Sequence, residues 1–593
     1  MSTAYVPQQP QQPQQPQRAT PEPAPPAQPG VPPYASEATR LLCAGTYLDP
    51  AYRDRVIEEL DLNEQRFVAP SLGFDAARVL AHALRARRQE LLWAAAILGL
   101  WAVGLPLSGW LLALFLLPGI ALAVAPWIQG LTVVPPLYRA IGAFLVRWWG
   151  RAFFTTALIL TLVVAFGGGS DSGSTSYQSY GSDDGYYGSS YSDSTSYADL
   201  LVPGSGDLGG LAKPWHAWLA LAVLAGIALC GHAQRTRFSR ALAGELSPQR
   251  FPDAANDPAE KAESPRFQRI RQRIRTEQHA PLIMYNETDP FCGAGTAYST
   301  WVLAVELRRD ELKKEQQPLS NRAVLERIRP LLERLRIPAE YAGPGVRDRL
   351  RQLEIDECVF LPAEGLLSRD QAPYTPDAFA EHRARAVEEG AEKRRHFLRI
   401  RVDGWDEELV VTVFVRIHTQ GRMLVLEIAP HVLTPVRADF KEADRVAHRF
   451  RNNNWVGKTA AALVLVPGSV GRSLVQLGRG AVYVWRLLTG GHAGALPEGP
   501  ALSVRELASV DVGSHFQEMD VARYLRSIQD RVANGVRAAL ADAGYETGEF
   551  VQKIVNVSND VSIGRVEGST FAVGSHATAT SVVQEKGADT HGR

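Results

Sequence analysis

Apolar residues along this chain fall into blocks, and the blocks differ in period. Four stretches, 91–107, 109–128, 147–166 and 215–231, are apolar on every side, apart from Arg147 and Arg151 at the start of the third. A bilayer core takes about 20 helical residues, and shorter spans are accommodated by thinning or snorkelling. The pattern therefore predicts four transmembrane helices, the third extending back towards Ile141 with Trp148 and Trp149 at the interface. Helical spacing recurs at 36–90, where Leu41, Leu42, Tyr47, Tyr52, Val56, Ile57 and Leu60 share a face. It recurs again at 320–336 (Val324, Leu325, Ile328, Leu331, Leu332, Leu335) and at 516–543 (Val521, Leu525, Ile528, Val532, Val536, Leu540). Period-two alternation marks strands at 281–287, 300–308, 358–362, 397–402, 409–418 and 423–428.

The fold class that follows is a helical membrane region of four transmembrane helices plus a cytoplasmic α+β domain with a mostly antiparallel sheet. The chain divides into a Pro/Gln-rich disordered tail (1–35), a small cytoplasmic helical unit (36–90), the membrane region (91–231) and a linker (232–263). The α+β domain (264–450) is next, then an apolar and basic helical segment (451–492), a linker with a long helix (493–550), a glycine-containing β-rich tail (551–582) and a disordered end (583–593). The loop 167–213 is built from Ser, Tyr, Asp and Gly and is expected to be disordered.

Charge orients the membrane region. Arginines flank the first span on its N-terminal side (Arg78, Arg85, Arg87, Arg88), the connection between the second and third (Arg139, Arg147, Arg151), and the end of the fourth (Arg235, Arg237, Arg240, Arg250). The 167–213 loop carries Lys213 against six aspartates. Positive residues stay on the cytoplasmic side, so the chain reads as a multi-pass protein of the cell membrane with both termini in the cytoplasm. Balanced charge, 63 basic against 63 acidic side chains, argues against a nucleic-acid partner. The arginine bias, with only nine lysines, and the Ala/Gly/Leu excess suggest a bacterial, GC-rich origin.

Candidate chemistry is sparse. Cys43, Cys230, Cys292 and Cys358 form no C-x-x-C pair, so no metal site or disulfide framework is expected. Cys292–Gly295 could cradle a phosphate, but it lies between two strands and reads as a hairpin turn. Gly457–Lys458–Thr459 resembles the end of a P-loop, yet Asn452 stands where the first glycine belongs. His396, His418 and His431 read as structural. No catalytic, cofactor-binding or metal-binding residue is assigned, and the leading reading is non-enzymatic.

Two basic stripes are candidates for the membrane surface. Ser264 and Pro265 open an amphipathic helix with Arg266, Arg269 and Arg273 opposite Phe267, Ile270 and Ile274. Arg472, Arg479 and Arg486 recur every seven residues within 455–488. That segment reads as a helix on the cytoplasmic membrane face, anchored by Trp455 and Trp485, or as a helical lid on the sheet. A fifth span is disfavoured because Arg472 and Arg479 would lie at depth.

The tail repeats an alternating motif at ten residues: Val561, Ile563 and Gly564, then Phe571, Val573 and Gly574. It resembles homotypic β-motifs of the [IV]-x-[IV]-G type in signalling tails, which implies self-association, while a hairpin docked on the domain is the other reading. RLLCAGTYLDPAYRDRVIEEL and PFCGAGTAYSTW, with the compositional bias, resemble uncharacterised multi-pass membrane proteins of actinobacteria, which carry no established activity. The functional expectation is a membrane-anchored scaffold or sensor, held in the lipid bilayer, whose cytoplasmic domain binds a protein partner or itself as a homo-oligomer. The alternative is a four-span channel-like or transport accessory protein acting as an oligomer.

Overall fold

Ser36 opens the first helix: its hydroxyl accepts the Thr39 backbone N–H at 3.2 Å, satisfying a donor the helix leaves orphaned. The structure, a computed structural model, describes residues 32–129, 136–167, 213–261, 264–310, 317–337, 350, 352–389, 391–404, 408–490, 495–510 and 513–552. Nearly all of the Pro/Gln-rich start, nearly all of the 167–213 loop, and the β-rich tail with Val561, Ile563, Gly564, Phe571, Val573 and Gly574 lie outside the described residues.

Helices α1 (Glu37–Leu48) and α2 (Pro50–Ile57) and a π turn over Glu58–Leu62 pack on the first turns of α3 (Ala76–Leu107). At 1.5 Å per residue α3 is about 48 Å long, and its two halves bury different things. Ala77, Leu80 and Ala83 join Leu42, Val56 and Ile57 in a helical core. Further along, Ile97 and Trp101 enter a second, wholly apolar core. The helical unit and the first expected span are therefore one continuous helix.

A 3-10 turn over Leu111–Phe115 leads to α4 (Leu116–Gln129), followed by α5 (Leu137–Gly167) and α6 (Pro214–Arg240). Among the described residues four helices are long and apolar enough to cross a membrane: Ala76–Leu107, Leu137–Phe166, Pro214–Glu245 and Val456–Thr489. The number is the expected one, but the membership differs. Over the expected span 109–128 the described residues give a shorter apolar helix, Leu111–Ala125, which opens with the 3-10 turn after the positive φ of Gly109 and Trp110. The segment 455–488 takes its place in the set.

Helix α7 (Pro265–His279) buries Phe267, Ile270 and Ile274 in the same core as α1 to α3. Seven strands then form one sheet: β1 (Leu282–Tyr285), β2 (Thr296–Ala297), β3 (Trp301–Glu306), β4 (Leu353–Pro362), β5 (Arg395–Gly404), β6 (Leu409–Gln420) and β7 (Met423–Leu433). Their order is β1-β4-β5-β6-β7-β2, with β3 also on β7. β1 runs parallel to β4, Leu282 facing Val359, while β4 to β7 form an antiparallel meander. The sheet is thus mixed, a correction to the mostly antiparallel expectation. The reason is that β1 and β3 do not pair with each other. They lie at opposite edges, and 286–295 crosses the sheet between them instead of forming the expected hairpin turn.

Helices α8 (Asn321–Glu333) and α9 (Pro376–Glu388) and the long α13 (His515–Asp542) cover one face of the sheet; α10 (Ala443–Asn452), α11 (Trp455–Leu463) and α12 (Ser469–Thr489) lie between the sheet and α13 in the chain. On the covered face Leu398, Ile400, Val411, Val413 and Val415 meet Val324, Ile328 and Leu332 of α8 and Val521, Leu525, Ile528 and Val532 of α13. α8 and α13 approach closely at Gly535, where a Cβ would lie 2.6 Å from the Ile328 side chain. The second face of the sheet has no helix of its own in that core and carries the features that follow.

Candidate functional site

Strand alternation puts Phe360, Phe397, Phe414 and His431 together on the second face. Phe291, carried over the sheet by the 286–295 crossing, closes the cluster. Its ring centroid lies 5.4 Å from Phe360, 5.7 Å from Phe397, 4.8 Å from Phe414 and 4.5 Å from His431. The tilted and edge-on angles suit the ring quadrupoles. Beside Phe291 a pocket of about 220 Å³ opens, lined by Tyr285, Glu287, Pro290, Phe291, Phe360, Arg395 and Phe397. Its floor is aromatic and its charges stand at the mouth. Tyr285 donates to the Lys393 carbonyl at 3.1 Å, and the Lys393 ammonium pairs with Glu287 at 3.0 Å. The Arg395 Nε donates to the Glu392 carbonyl at 2.9 Å, which leaves much of the guanidinium half-exposed.

Next to the pocket the glycine turn is already filled. Gly293 and Gly295 take positive φ, and both backbone N–H groups donate at 2.8 Å to Oε1 of Glu506. Converging N–H groups in such a turn form an anion nest, and here the anion is a side chain of the chain itself. Burial raises the Glu506 carboxyl above its ordinary value, against the pull of the two N–H donors. Gly295 has no room for a side chain, since a Cβ would lie 2.3 Å from the Val432 carbonyl oxygen. The phosphate-cradle shape weighed from the sequence is therefore an internal clasp between the sheet and the 495–510 segment.

The Cys358 thiol is pushed up to about 12 by burial and donates to the Phe397 carbonyl at 3.7 Å; the Cys292 thiol is also pushed up by burial. Thiols held protonated are poor nucleophiles. Among the described residues no group of three or more His, Cys, Asp or Glu side chains converges as for a metal ion. His396 contacts Glu357 at 3.1 Å, His431 lies against Phe291 with Nδ1 3.2 Å from the Ala429 carbonyl, and His418 lies 4.0 Å from Glu427.

Four of the six candidate membrane-surface arginines are placed against acidic side chains of the helical unit. Arg266 reaches Glu64 at 2.6 Å and Asp61 at 3.3 Å, and Arg273 reaches Glu64 at 3.8 Å. Arg479 reaches Asp54 at 3.5 Å and Arg486 reaches Glu58 at 2.8 Å. Arg472 donates to the carbonyls of Leu465 and Gly468, and Arg269 is exposed. Gly457, Lys458 and Thr459 lie on α11, where Lys458 donates to the Arg451 carbonyl at 3.0 Å.

Periodicity alone does not disclose a buried relay at the root of α3. Tyr47 lies 3.2 Å from His82 Nδ1, His82 Nε2 lies 3.0 Å from Asp257, and Arg78 donates to the same carboxylate at 2.8 Å. Burial would raise the Asp257 carboxyl, but His82 and Arg78 outweigh it and hold it well below the usual carboxylate range. Asp257 belongs to the expected linker, so this network ties the chain beyond α6 back onto α3. The only signal for it was the mismatch of Arg78 and His82 with an apolar helix face.

The second face and the α12 segment fall within one stretch of the chain, apart from the residues of β1 and of the glycine turn. Residues 300–575 match the family model described as an AbeC-like domain. The match covers a little under half of the chain. The matched stretch begins at the start of β3, takes in β4 to β7, the α11–α12 segment and α13, and ends just past Gly574. It leaves out the pocket wall formed by Tyr285, Glu287, Pro290 and Phe291. No curated protein and no solved structure matches the chain.

Proposed function

We propose that this is a multi-pass protein of the cell membrane, with both termini in the cytoplasm, that serves as a scaffold or sensor. Its α+β domain binds a protein partner or a second copy of itself. The observation that carries the reading is the aromatic pocket on a domain clasped to the membrane-proximal helices. A pocket of about 220 Å³ suits one large apolar side chain, and aromatic floors with a charged rim are typical of anchor pockets in interfaces. Arg395 and Glu287 at the mouth would orient the peptide that carries the anchor. The match over residues 300–575 takes in Val561–Gly574 together with the sheet, which is why the tail is included in the test.

The test is crosslinking in cells followed by purification of the full-length protein, Arg395→Glu, and a version lacking 555–593. A stoichiometric partner recovered with the full-length protein and lost with Arg395→Glu is the expected result. Equal recovery of that partner with all three versions would refute both the pocket and the tail as binding elements. Recovery of a self-oligomer alone, unchanged in all three, would move the weight to the membrane helices as a channel-like bundle.

A further inference from the structure

Val456–Thr489 has the length and hydropathy of a span, yet it is broken at Val464–Gly468, between α11 and α12. Both of its ends return to one side. Before it, the Phe450 ring of α10 lies 5.9 Å from His232, near the Arg-rich end of α6. After it, Arg479, Tyr483 and Arg486 of α12 reach Asp54, Asp61 and Glu58 of the helical unit at the foot of α3.

The break itself lies among the membrane helices. Val466 and Val470 are buried with Ile97, Trp101, Phe115 and Phe154. A Cβ on Gly119 would lie 3.1 Å from the Pro467 carbonyl oxygen, and one on Gly471 would lie 2.1 Å from the Ala123 Cβ. Non-helical backbone survives at membrane depth only where its polar groups are satisfied within the protein. Arg472 does this, donating to the carbonyls of Leu465 and Gly468 within the break. Apart from the stripe of Arg472, Arg479 and Arg486, the exposed surface is mostly apolar: Leu463, Val464, Leu474, Val475, Val482 and Leu488 are exposed. It continues the exposed apolar belt of α4 and α5, which includes Leu117, Ile120 and Leu145.

We infer that α11 and α12 form a re-entrant hairpin. It enters from the side of the helical unit, turns at Val464–Gly468, and lays its outer face against the acyl chains of that leaflet. The inference rests on reading α3, α4, α5 and α6 as spans, which puts the foot of α3 and the Arg-rich end of α6 on one side. Arg472, which argued against a fifth span, is explained as the cap that lets the break sit beside them.

The test uses the full-length protein in cells and in inside-out vesicles, with its cysteines replaced by alanine and single cysteines returned for labelling by a membrane-impermeant maleimide. Ser190→Cys and Ser247→Cys should label from opposite sides. Arg449→Cys and Thr489→Cys should both label from the Ser247 side, and Val464→Cys from neither. Labelling of Arg449→Cys and Thr489→Cys from opposite sides would overturn the hairpin in favour of a span. Labelling of Val464→Cys as fast as Arg449→Cys would overturn its insertion. Labelling of Ser190→Cys and Ser247→Cys from one side would instead refute the spans on which it rests. Val464→Leu, purified in parallel, reports whether the tip tolerates substitution.

Discussion

At the scale of single residues, the most informative side chains are charges placed where patterning expects apolar groups. Asp403, at the end of β5, is buried and lies 3.2 Å from Arg401. Burial pushes its carboxyl up to about 6, with Arg401 pulling the other way. Between pH 4 and pH 6 the folded protein therefore binds more protons here than the unfolded chain does. Stability contributed by this group is complete below pH 4, falls as pH rises through about 6, and is flat beyond. A rise of about two units is worth roughly 3 kcal/mol. Asp403→Asn should flatten the profile of apparent Tm against pH between 4 and 6 relative to wild type, and should raise Tm at pH 7.5. Arg401 keeps Glu354 at 2.9 Å in that variant. Parallel profiles for the two proteins would show that Asp403 titrates as an ordinary surface carboxyl. In the sequence Asp403 looks like a turn residue ahead of Gly404, and nothing local marks it as buried.

At the scale of elements, the 286–295 crossing shows how a loop can be held by one acceptor atom. Both glycine N–H groups converge on Glu506 Oε1. Glu506→Ala would leave two buried donors without a partner, at about 1–3 kcal/mol each. Glu506→Gln retains a carbonyl oxygen at the Oε1 position and should cost much less. The measurement is apparent Tm of the purified protein for the two variants; equal losses would mean that the carboxylate charge, not the paired N–H groups, holds the segment. Most strand and helix positions in the domain were legible from period alone, though α9 and the first half of β4 were not. The inward residues of α13 named from spacing all lie in the helix-covered core, and those of α8 lie in or against it apart from Leu331. Pairing was not legible. Local sequence favours a hairpin at a glycine turn, and the acceptor that diverts this turn across the sheet lies 211 residues away in the chain.

At the scale of the molecule, the helical unit, the membrane helices and the domain are joined by buried charge. Arg53 of α2 pairs with Glu90 of α3, and Gln476 of α12 donates to the other oxygen of the same carboxylate. Breaking a buried pair from one side costs about 3–5 kcal/mol, because the remaining charge stays unpaired. Arg53→Ala should lower stability by that amount. The double variant Arg53→Ala with Glu90→Gln should recover part of it, since the stranded charge is gone. Yield and apparent Tm in detergent report both. A double variant no better than the single would place the loss in the packing of Arg53 and not in its charge. The same joint accounts for the stripe Arg479 and Arg486, which is paired with Asp54 and Glu58 on the helical unit.

The sequence by itself determined the apolar blocks, the helical and strand periods, the core faces of α8, α13 and β6, and the arginine asymmetry about the membrane segments. These depend on composition and spacing over a few turns or strands, which a linear chain displays. Only the tertiary structure decided that 109–128 is a short helix behind a 3-10 turn, that the sheet is mixed, that the glycine turn clasps Glu506, and that 455–489 is interrupted at Val464–Gly468. Each of those outcomes depends on a partner supplied by a distant part of the chain: Glu506 for the turn, β4 for β1, and the α3–α4 surface for the interruption. A residue's spacing shows which side it turns to the interior; which interior it meets is settled only when the distant element arrives.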